Sequence, residues 1–234
     1  MKLLEGKWAL VTGSSRGIGQ QIALGLAERK CNVIVHGRKP ESVARTLEML
    51  KLYQVETFVA AGELSKPDEV QAIVRAVKDG PGVVDILYNN AAIGSTWTDH
   101  IWDIDEAHWH DVFQVNVFAV IALCSAFAPG MKERGYGRII NLTSGIKDQP
   151  QLAPYSVSKA AVDKYSRDLA AELRDTNVLV NYLDPGWLRT DMGGPDAFDA
   201  VETVLPGALV PALLDDDGPT GRFYAAQDYK VLEG

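Results

Sequence analysis

A tyrosine and a lysine stand four residues apart in PYSVSKAAVDKYSRDLAAEL, as Tyr155 and Lys159. On a helix, residues at that spacing share one face, so a phenol and an ammonium emerge side by side. A phenol ionises near pH 10; bringing it toward 7 takes roughly 3 pH units, about 4 kcal/mol, of preference for the phenolate. A neighbouring ammonium has the sign that supplies this. The pair therefore predicts a proton-transfer site, Tyr155 tuned by Lys159, although an isolated pair on a solvated helix would do nothing.

A second stretch has the composition of a binding loop. Residues 12–19 read TGSSRGIG, after the apolar run WALV and before the helical pattern QQIALGLAERK. Glycine permits tight turns and close approach of a backbone to a ligand, because it has no Cβ. The loop opens a helix, where free N–H groups and the positive end of the helix dipole favour an anion such as a pyrophosphate. Gly13, Ser15, Arg16, Gly17, Ile18 and Gly19 are the candidate contacts. In dinucleotide folds an acid about 20 residues on accepts the ribose 2′-OH, whereas an arginine suits a 2′-phosphate. Here the second apolar run ends VIVHGRK, with Arg38 and no acid. Arg16 and Arg38 together predict NADP(H) in preference to NAD(H).

Positioning these groups takes a series of strands and helices. Apolar runs over 7–12, 32–36, 56–60, 85–89, 138–142, 178–183 and 222–224 read as strands, and 17–29, 41–52, 67–78, 105–134, 154–175 and 200–214 as helices. That alternation predicts an α/β fold with a parallel sheet covered on both faces. In the first helix Ile18, Ile22 and Leu26 form an apolar stripe suited to packing on a sheet. Residues 193–207 and the run DDDGPT at 215–220 are the expected irregular segments, the latter a solvated turn.

With 234 residues, 47% of them hydrophobic, the chain suits one α/β domain over 1–234. A net charge of -8 argues against a nucleic-acid footprint, so a small-molecule partner is expected. Cys31 and Cys124 lie in apolar segments without a CxxC pattern and read as buried, reduced thiols of a cytoplasmic protein. The N-terminal MKLLEGKWALV lacks the apolar core of a signal peptide, and VFAVIALCSAFA at 117–128 falls short of the roughly 20 residues of a membrane span. His36, His100, His108 and His110 show no ligand spacing, so no metal is expected.

Taken in order, TGSSRGIG, NNAA at 89–92, Asn116, NLTSG at 141–145, YSVSK and PGWLRTDM from Pro185 resemble the short-chain dehydrogenase/reductase family, single-domain branch, over essentially the whole chain. The resemblance implies a doubly wound, Rossmann-like parallel sheet of about seven strands and nicotinamide-dependent interconversion of alcohols and carbonyls. By motif, Tyr155 would be the acid/base, and Lys159 would lower its pKa and hold the nicotinamide ribose. Ser144 would hydrogen-bond the substrate oxygen, and Asn116 would anchor a water relaying protons through Lys159. Pro185, Gly186, Leu188 and Thr190 resemble nicotinamide-side contacts; Asn89 and Ala91 would lie near the adenosine half.

Several departures bear on the site. Ala92 stands where the family has glycine, and Glu63 of AGELS, followed by Leu64, replaces an aspartate that would meet the adenine amino group. The segment from Ser144 to Tyr155 is a little short, and 191–200 lacks a longer lid. Trp97, Ile146 and Trp187 are candidate pocket residues, with packing as the alternative for the tryptophans; His100 and Trp102 sit beside Trp97, and Trp109 reads as core. Val117, Phe118, Val120, Ile121, Leu123 and Phe127 on one long helix and Ala160, Ala161, Val162 and Leu169 on the other predict a homodimer or homotetramer through those helices. A non-catalytic dinucleotide sensor of the same fold is the alternative function; such a protein would be expected to lose one of Asn116, Ser144, Tyr155 and Lys159, and none is lost.

Overall fold

The strands form because each is a short apolar run flanked by turns, and in a sheet covered on both faces every side chain of such a run can be buried. The structure, a computed structural model, describes residues 3–231; Met1 and Lys2, which begin the N-terminal reading, lie outside the described residues. Its strands are β1 (Trp8–Val11), β2 (Asn32–Gly37), β3 (Thr57–Ala61), β4 (Ile86–Asn89), β5 (Gly137–Leu142), β6 (Val178–Asp184) and β7 (Phe223–Ala225). They make one 7-stranded sheet in the order β3-β2-β1-β4-β5-β6-β7. Every pairing is parallel.

Helices α1 (Gly17–Glu28), α2 (Ala44–Leu50), α3 (Pro67–Asp79), α4 (Glu106–Phe113), α5 (Ala119–Arg134) and α6 (Ala153–Glu172) complete the layers. Alternation along the strands divides the core in two. Leu10, Ile34, Leu87, Ile139 and Val180 face α3, α5 and α6. Val11, Val35, Tyr88, Ile140 and Leu183 face α1 and the turns near residue 208. The order of the strands reverses between β1 and β4, so a crevice opens at their carboxyl ends, where open α/β sheets bind ligands.

Three expected helices are modified. Residues 200–214 form not one helix but the 3-10 turns Val201–Val204 and Gly207–Ala212, because Pro206 and Pro211 lack the amides a longer α-helix needs. The 41–52 segment has α2 at its centre and 3-10 turns at Pro40–Val43 and Lys51–Tyr53. The long 105–134 helix is continuous but contains a π-helical turn, Gln114–Phe118, centred on Asn116. By length and composition this Glu106–Arg134 run could cross a membrane, yet 56% of its apolar window is buried inside the protein, as in a core helix. Asp216 of the acidic run has a structural task, accepting from the fully buried Arg138 guanidinium at 3.1 Å.

Candidate active site

The TGSSRGIG loop crosses the carboxyl end of β1 and enters α1. Gly19 must lack a side chain, since a Cβ there would lie 2.5 Å from both the Gly13 carbonyl and Asn90 Nδ2. Gly13 has φ +65, and its Cβ would come within 3.0 Å of Ala91. Arg16, the residue before α1, is extended and provides no side-chain cap. The first amides of α1 are therefore left to a ligand, as an anion-binding helix start requires. Not every loop amide is available, which corrects the sequence reading: the Gly13 N–H donates to His36 Nδ1 at 3.0 Å and the Ser14 N–H to the His36 carbonyl at 2.9 Å.

His36, which the sequence offered only as a non-ligand, thus shapes the loop from beneath. Because Nδ1 accepts, the proton is on Nε2, which lies 3.1 Å from the Gly62 carbonyl. Burial pushes the imidazole down to about 4, opposed only by that backbone contact, so the ring is neutral at physiological pH. Thr12 is a second support that the sequence did not reveal: its hydroxyl accepts the Asn90 and Ala91 amides at 2.9 and 3.0 Å.

Both arginines flank the crevice, and each meets a carboxylate. Arg16 Nε lies 2.6 Å from Asp191 Oδ2, both side chains largely exposed. Arg38 Nε lies 3.7 Å from Glu63 Oε1. Glu63 is therefore placed beside an arginine, and Leu64 after it is buried. The Asn89 side chain turns inward, donating to Asn141 Oδ1 at 2.8 Å and Cys124 Sγ at 3.3 Å, which leaves its main chain as the part that could meet a ligand at the end of β4. Asn141 in turn donates to Ser166 of α6 at 2.8 Å. This buried polar chain ties the ends of β4 and β5 to α6.

That tie, with a second one through Asn116, sets the helix bearing the phenol and the ammonium. Asn116 Oδ1 accepts from the Ile93 amide at 2.9 Å, while its Nδ2 donates to the Ile93 carbonyl and to Ser158 Oγ, each at 3.0 Å. Its side chain is filled by these contacts, so a relay water would have to be held by its main chain. Lys159 is buried and its Nζ donates to the Leu142 carbonyl at 2.8 Å. Burial lowers the ammonium to about 8, with Asp163 acting in the opposite direction. The same Nζ stands 5.6 Å from the centroid of the Tyr155 ring.

The Tyr155 phenol sits above its ordinary value, not below it. Burial raises it most; a hydrogen bond with Ser144 lowers it and the Asp184 charge raises it. The expected lowering by Lys159 is absent here because the ammonium points at Leu142 and lies over the ring face. Ser144, whose Oγ accepts the Ile146 amide at 3.2 Å, stands beside the phenol.

On the far wall, Gly186 has φ +86 and donates to Asp184 Oδ1 at 3.0 Å. Pro185 accepts from Gln227 at 3.0 Å, Leu188 is buried, and Thr190 receives the Gly193 amide at 3.1 Å. Thr190 also reaches the phosphate loop, its Cγ2 lying 3.6 Å from where a Gly17 Cβ would be. Trp187 packs edge-on to Phe198 with centroids 4.8 Å apart and donates to the Gly193 carbonyl at 2.8 Å. Trp97 is exposed, Ile146 half-buried, and Trp102 stacks on His100 at 4.8 Å. Among the described residues no group of three His, Cys, Asp or Glu is placed to hold a metal.

A family model of short chain dehydrogenases matches residues 7–199. The chain belongs to the short-chain dehydrogenase family. As such it is an NAD(P)-dependent oxidoreductase acting on CH–OH or carbonyl groups. It is 38% identical over 234 residues to the 3-oxoacyl-[acyl-carrier-protein] reductase FabG of Staphylococcus epidermidis, covering 97% of this chain and 95% of that protein. Over 216 residues it is 36% identical to the uncharacterized oxidoreductase YvrD of Bacillus subtilis, covering 92% of this chain and 78% of the relative. Its fold is similar to the crystal structure of a 3-oxoacyl (acyl-carrier-protein) reductase from Agrobacterium tumefaciens with NADP bound, at TM-score 0.85 and 28% identity, covering 95% and 93% of the two chains. Within this short-chain dehydrogenase Ser144 follows β5 and Arg38 follows β2, on opposite sides of the strand reversal.

Proposed function

We propose that the protein is a single-domain, NADP(H)-dependent enzyme that interconverts an alcohol and a carbonyl in a small molecule, with Tyr155 as the acid/base. The observation that carries this reading is the placement of the Tyr155 phenol beside the Ser144 hydroxyl, with the Lys159 ammonium 5.6 Å from its ring. A nicotinamide dinucleotide fits the chain: the uncapped start of α1 and the side-chain-free Gly19 cradle accept a pyrophosphate. When bound, the dinucleotide supplies or takes the hydride. The protein supplies the rest: Ser144 orients the substrate oxygen, Tyr155 gives or takes the proton at that oxygen, and Lys159 reprotonates Tyr155. Ser15, Gly17 and Ile18 of the phosphate loop, with Ala91, Pro185, Gly186, Leu188 and Thr190, would flank the dinucleotide.

NADP(H) is favoured by Arg16 and Arg38. Their carboxylate partners do not rule this out, because exposed ion pairs contribute only about 0–1 kcal/mol. A phosphate offers both arginines stronger, charge-assisted contacts. NADP bound to the Agrobacterium reductase supports the same choice.

The protein is proposed to act in the cytoplasm as a homodimer or homotetramer. Much of the apolar surplus expected on the long helices is in fact covered within the chain: Val117, Val120, Leu123, Phe127 and Val162 are buried. What remains is a row formed by Trp109, Phe113 and the 52%-exposed Phe118, with ring centroids 6.3 and 6.4 Å apart, and the exposed Val157 and Ala160 on α6. A two-fold partner would cover that narrower strip. The reading is tested with a panel of ketones, aldehydes and alcohols followed by nicotinamide absorbance with NADPH, NADP, NADH and NAD. Turnover restricted to the 2′-phosphorylated forms is expected; turnover with no compound, or a preference for NADH, contradicts it.

A further inference from the structure

We propose that the site takes an uncharged carbonyl compound with a bulky apolar body, and that Ile93, Trp187, Met192 and Phe198 are the residues that select it. This rests on the alcohol/carbonyl reading above and names its substrate class.

The four residues stand on two segments at the carboxyl end of the sheet, one following β4 and the other following β6. Strand β5, which leads to Ser144, lies between those two strands. The first segment is fixed to the start of α6, because the Tyr155 N–H donates to Ser95 Oγ at 2.9 Å. The second meets the first at Met192, whose Cγ lies 3.7 Å from where a Gly94 Cβ would be. Beside Met192, the Gly193 carbonyl accepts from the Trp187 indole at 2.8 Å, and that indole meets the Phe198 ring edge-on with centroids 4.8 Å apart. Contacts therefore run unbroken from the backbone of Tyr155 to Phe198. The Arg189 N–H donates to the Asp199 carbonyl at 2.9 Å, which closes the second segment on itself and holds the aromatic pair.

Trp187, Met192 and Phe198 leave half or more of their surface in water, and Ile93 is exposed as well. Contiguous exposed apolar side chains at the mouth of a crevice mark a binding surface. Their polar neighbours are already paired: the indole N–H is spent on Gly193, and the Ile93 amide and carbonyl are both taken by Asn116, at 2.9 and 3.0 Å. What remains for a ligand is two rings, a thioether and a branched alkyl group, none of which pairs with an anion.

The surrounding charge points the same way. Residues 93–106 contain four acids and no Lys or Arg, and residues 187–200 contain three acids and one Arg. That arginine, Arg189, is occupied, its Nη1 donating to the Ala197 and Phe198 carbonyls at 3.0 and 2.9 Å. A carboxylate or phosphate on the substrate would meet like charge at this mouth, which opposes its approach. A neutral ketone or aldehyde meets no such cost, and its apolar body covers the exposed rings.

Methyl para-acetylbenzoate and para-acetylbenzoate share a ketone and a ring and differ in charge; acetone has the ketone without the ring. Wild-type kcat/KM is expected to fall by about tenfold or more from the ester to the acid, and by at least as much from the ester to acetone. Trp187→Ala and Phe198→Ala should each cut the preference for the ester over acetone by about tenfold, and Met192→Lys should narrow the preference for the ester over the acid. A second readout does not need turnover: NMR of methyl-labelled methionine, with the Met192 signal assigned by Met192→Leu, as ester or acid is added with and without NADP. The ester should move that signal at lower concentration than the acid. An acid used as well as the ester, or a Met192 signal that the ester leaves unmoved, would overturn the proposal. So would a change of assembly in Phe198→Ala, read by light scattering, with the preference for the ester intact, since the patch would then be a contact between copies of the chain. If no carbonyl compound is turned over while the ester still moves Met192, the alcohol/carbonyl reading fails and the selectivity of the pocket stands.

Discussion

Acidification tests the tie between His36 and the phosphate loop. In the folded protein the imidazole is buried and ionises near pH 4, against 6.5 for the free side chain. Between these values the unfolded chain binds the proton and the folded one does not, so stability is complete above pH 6.5 and falls as the pH drops toward 4. At pH 5 this one linkage removes about 2 kcal/mol, approaching about 3 kcal/mol below pH 4. Protonation would also place an N–H on Nδ1 facing the N–H of Gly13, which now donates to it at 3.0 Å. The assay is urea unfolding at pH 7 and pH 5 of the wild type and of His36→Asn, whose amide oxygen can accept from Gly13 and cannot be protonated. The variant should be less stable at pH 7 but lose less on acidification, by the amount given above. An equal loss in both proteins would refute the assignment of a neutral, hydrogen-bonded His36.

Arg38→Asp should narrow the ratio of NADPH to NADH affinity by at least tenfold, because a phosphate then meets a like charge in place of a guanidinium; competitive titration of the two cofactors measures this. Gly207→Ala should destabilise the fold by about 1–3 kcal/mol or more: its Cβ would lie 1.9 Å from the Ala226 carbonyl, and thermal unfolding reads the loss. Light scattering at micromolar concentration should give at least twice the 25.5 kDa chain mass, and Phe118→Glu should shift the population toward monomer.

The strands were legible because each is a continuous apolar run, and Val33 to Val35 or Ile139 to Ile140 can be buried on both faces only in a covered parallel sheet. The phosphate loop and the Tyr155–Lys159 pair were legible for another reason: their chemistry is written within eight contiguous residues or one helical turn. What escaped the sequence depends on partners far apart in it. His36 meets Gly13 across 23 residues and Asn89 meets Asn141 across 52. A polar residue at a strand end carries no local sign of which neighbour it serves, so the inward partners of Asn89 and the place of Asp184 went unread. The 200–214 segment failed differently. Its apolar spacing is helical, yet Pro206 and Pro211 reduce it to two short turns. The direction of the Tyr155 shift was also out of reach, since it depends on where Lys159 points and on the burial of the phenol.

Tyr155→Phe separates proton transfer from binding most directly, because it removes the hydroxyl and leaves the ring in place. Cofactor affinity, read by quenching of intrinsic tryptophan fluorescence, should stay within a few-fold of wild type. Turnover of any carbonyl or alcohol that the wild type accepts should fall by about 10²–10⁴, the contribution of a positioned acid/base. Wild-type turnover in Tyr155→Phe would contradict the assignment of this residue as the acid/base.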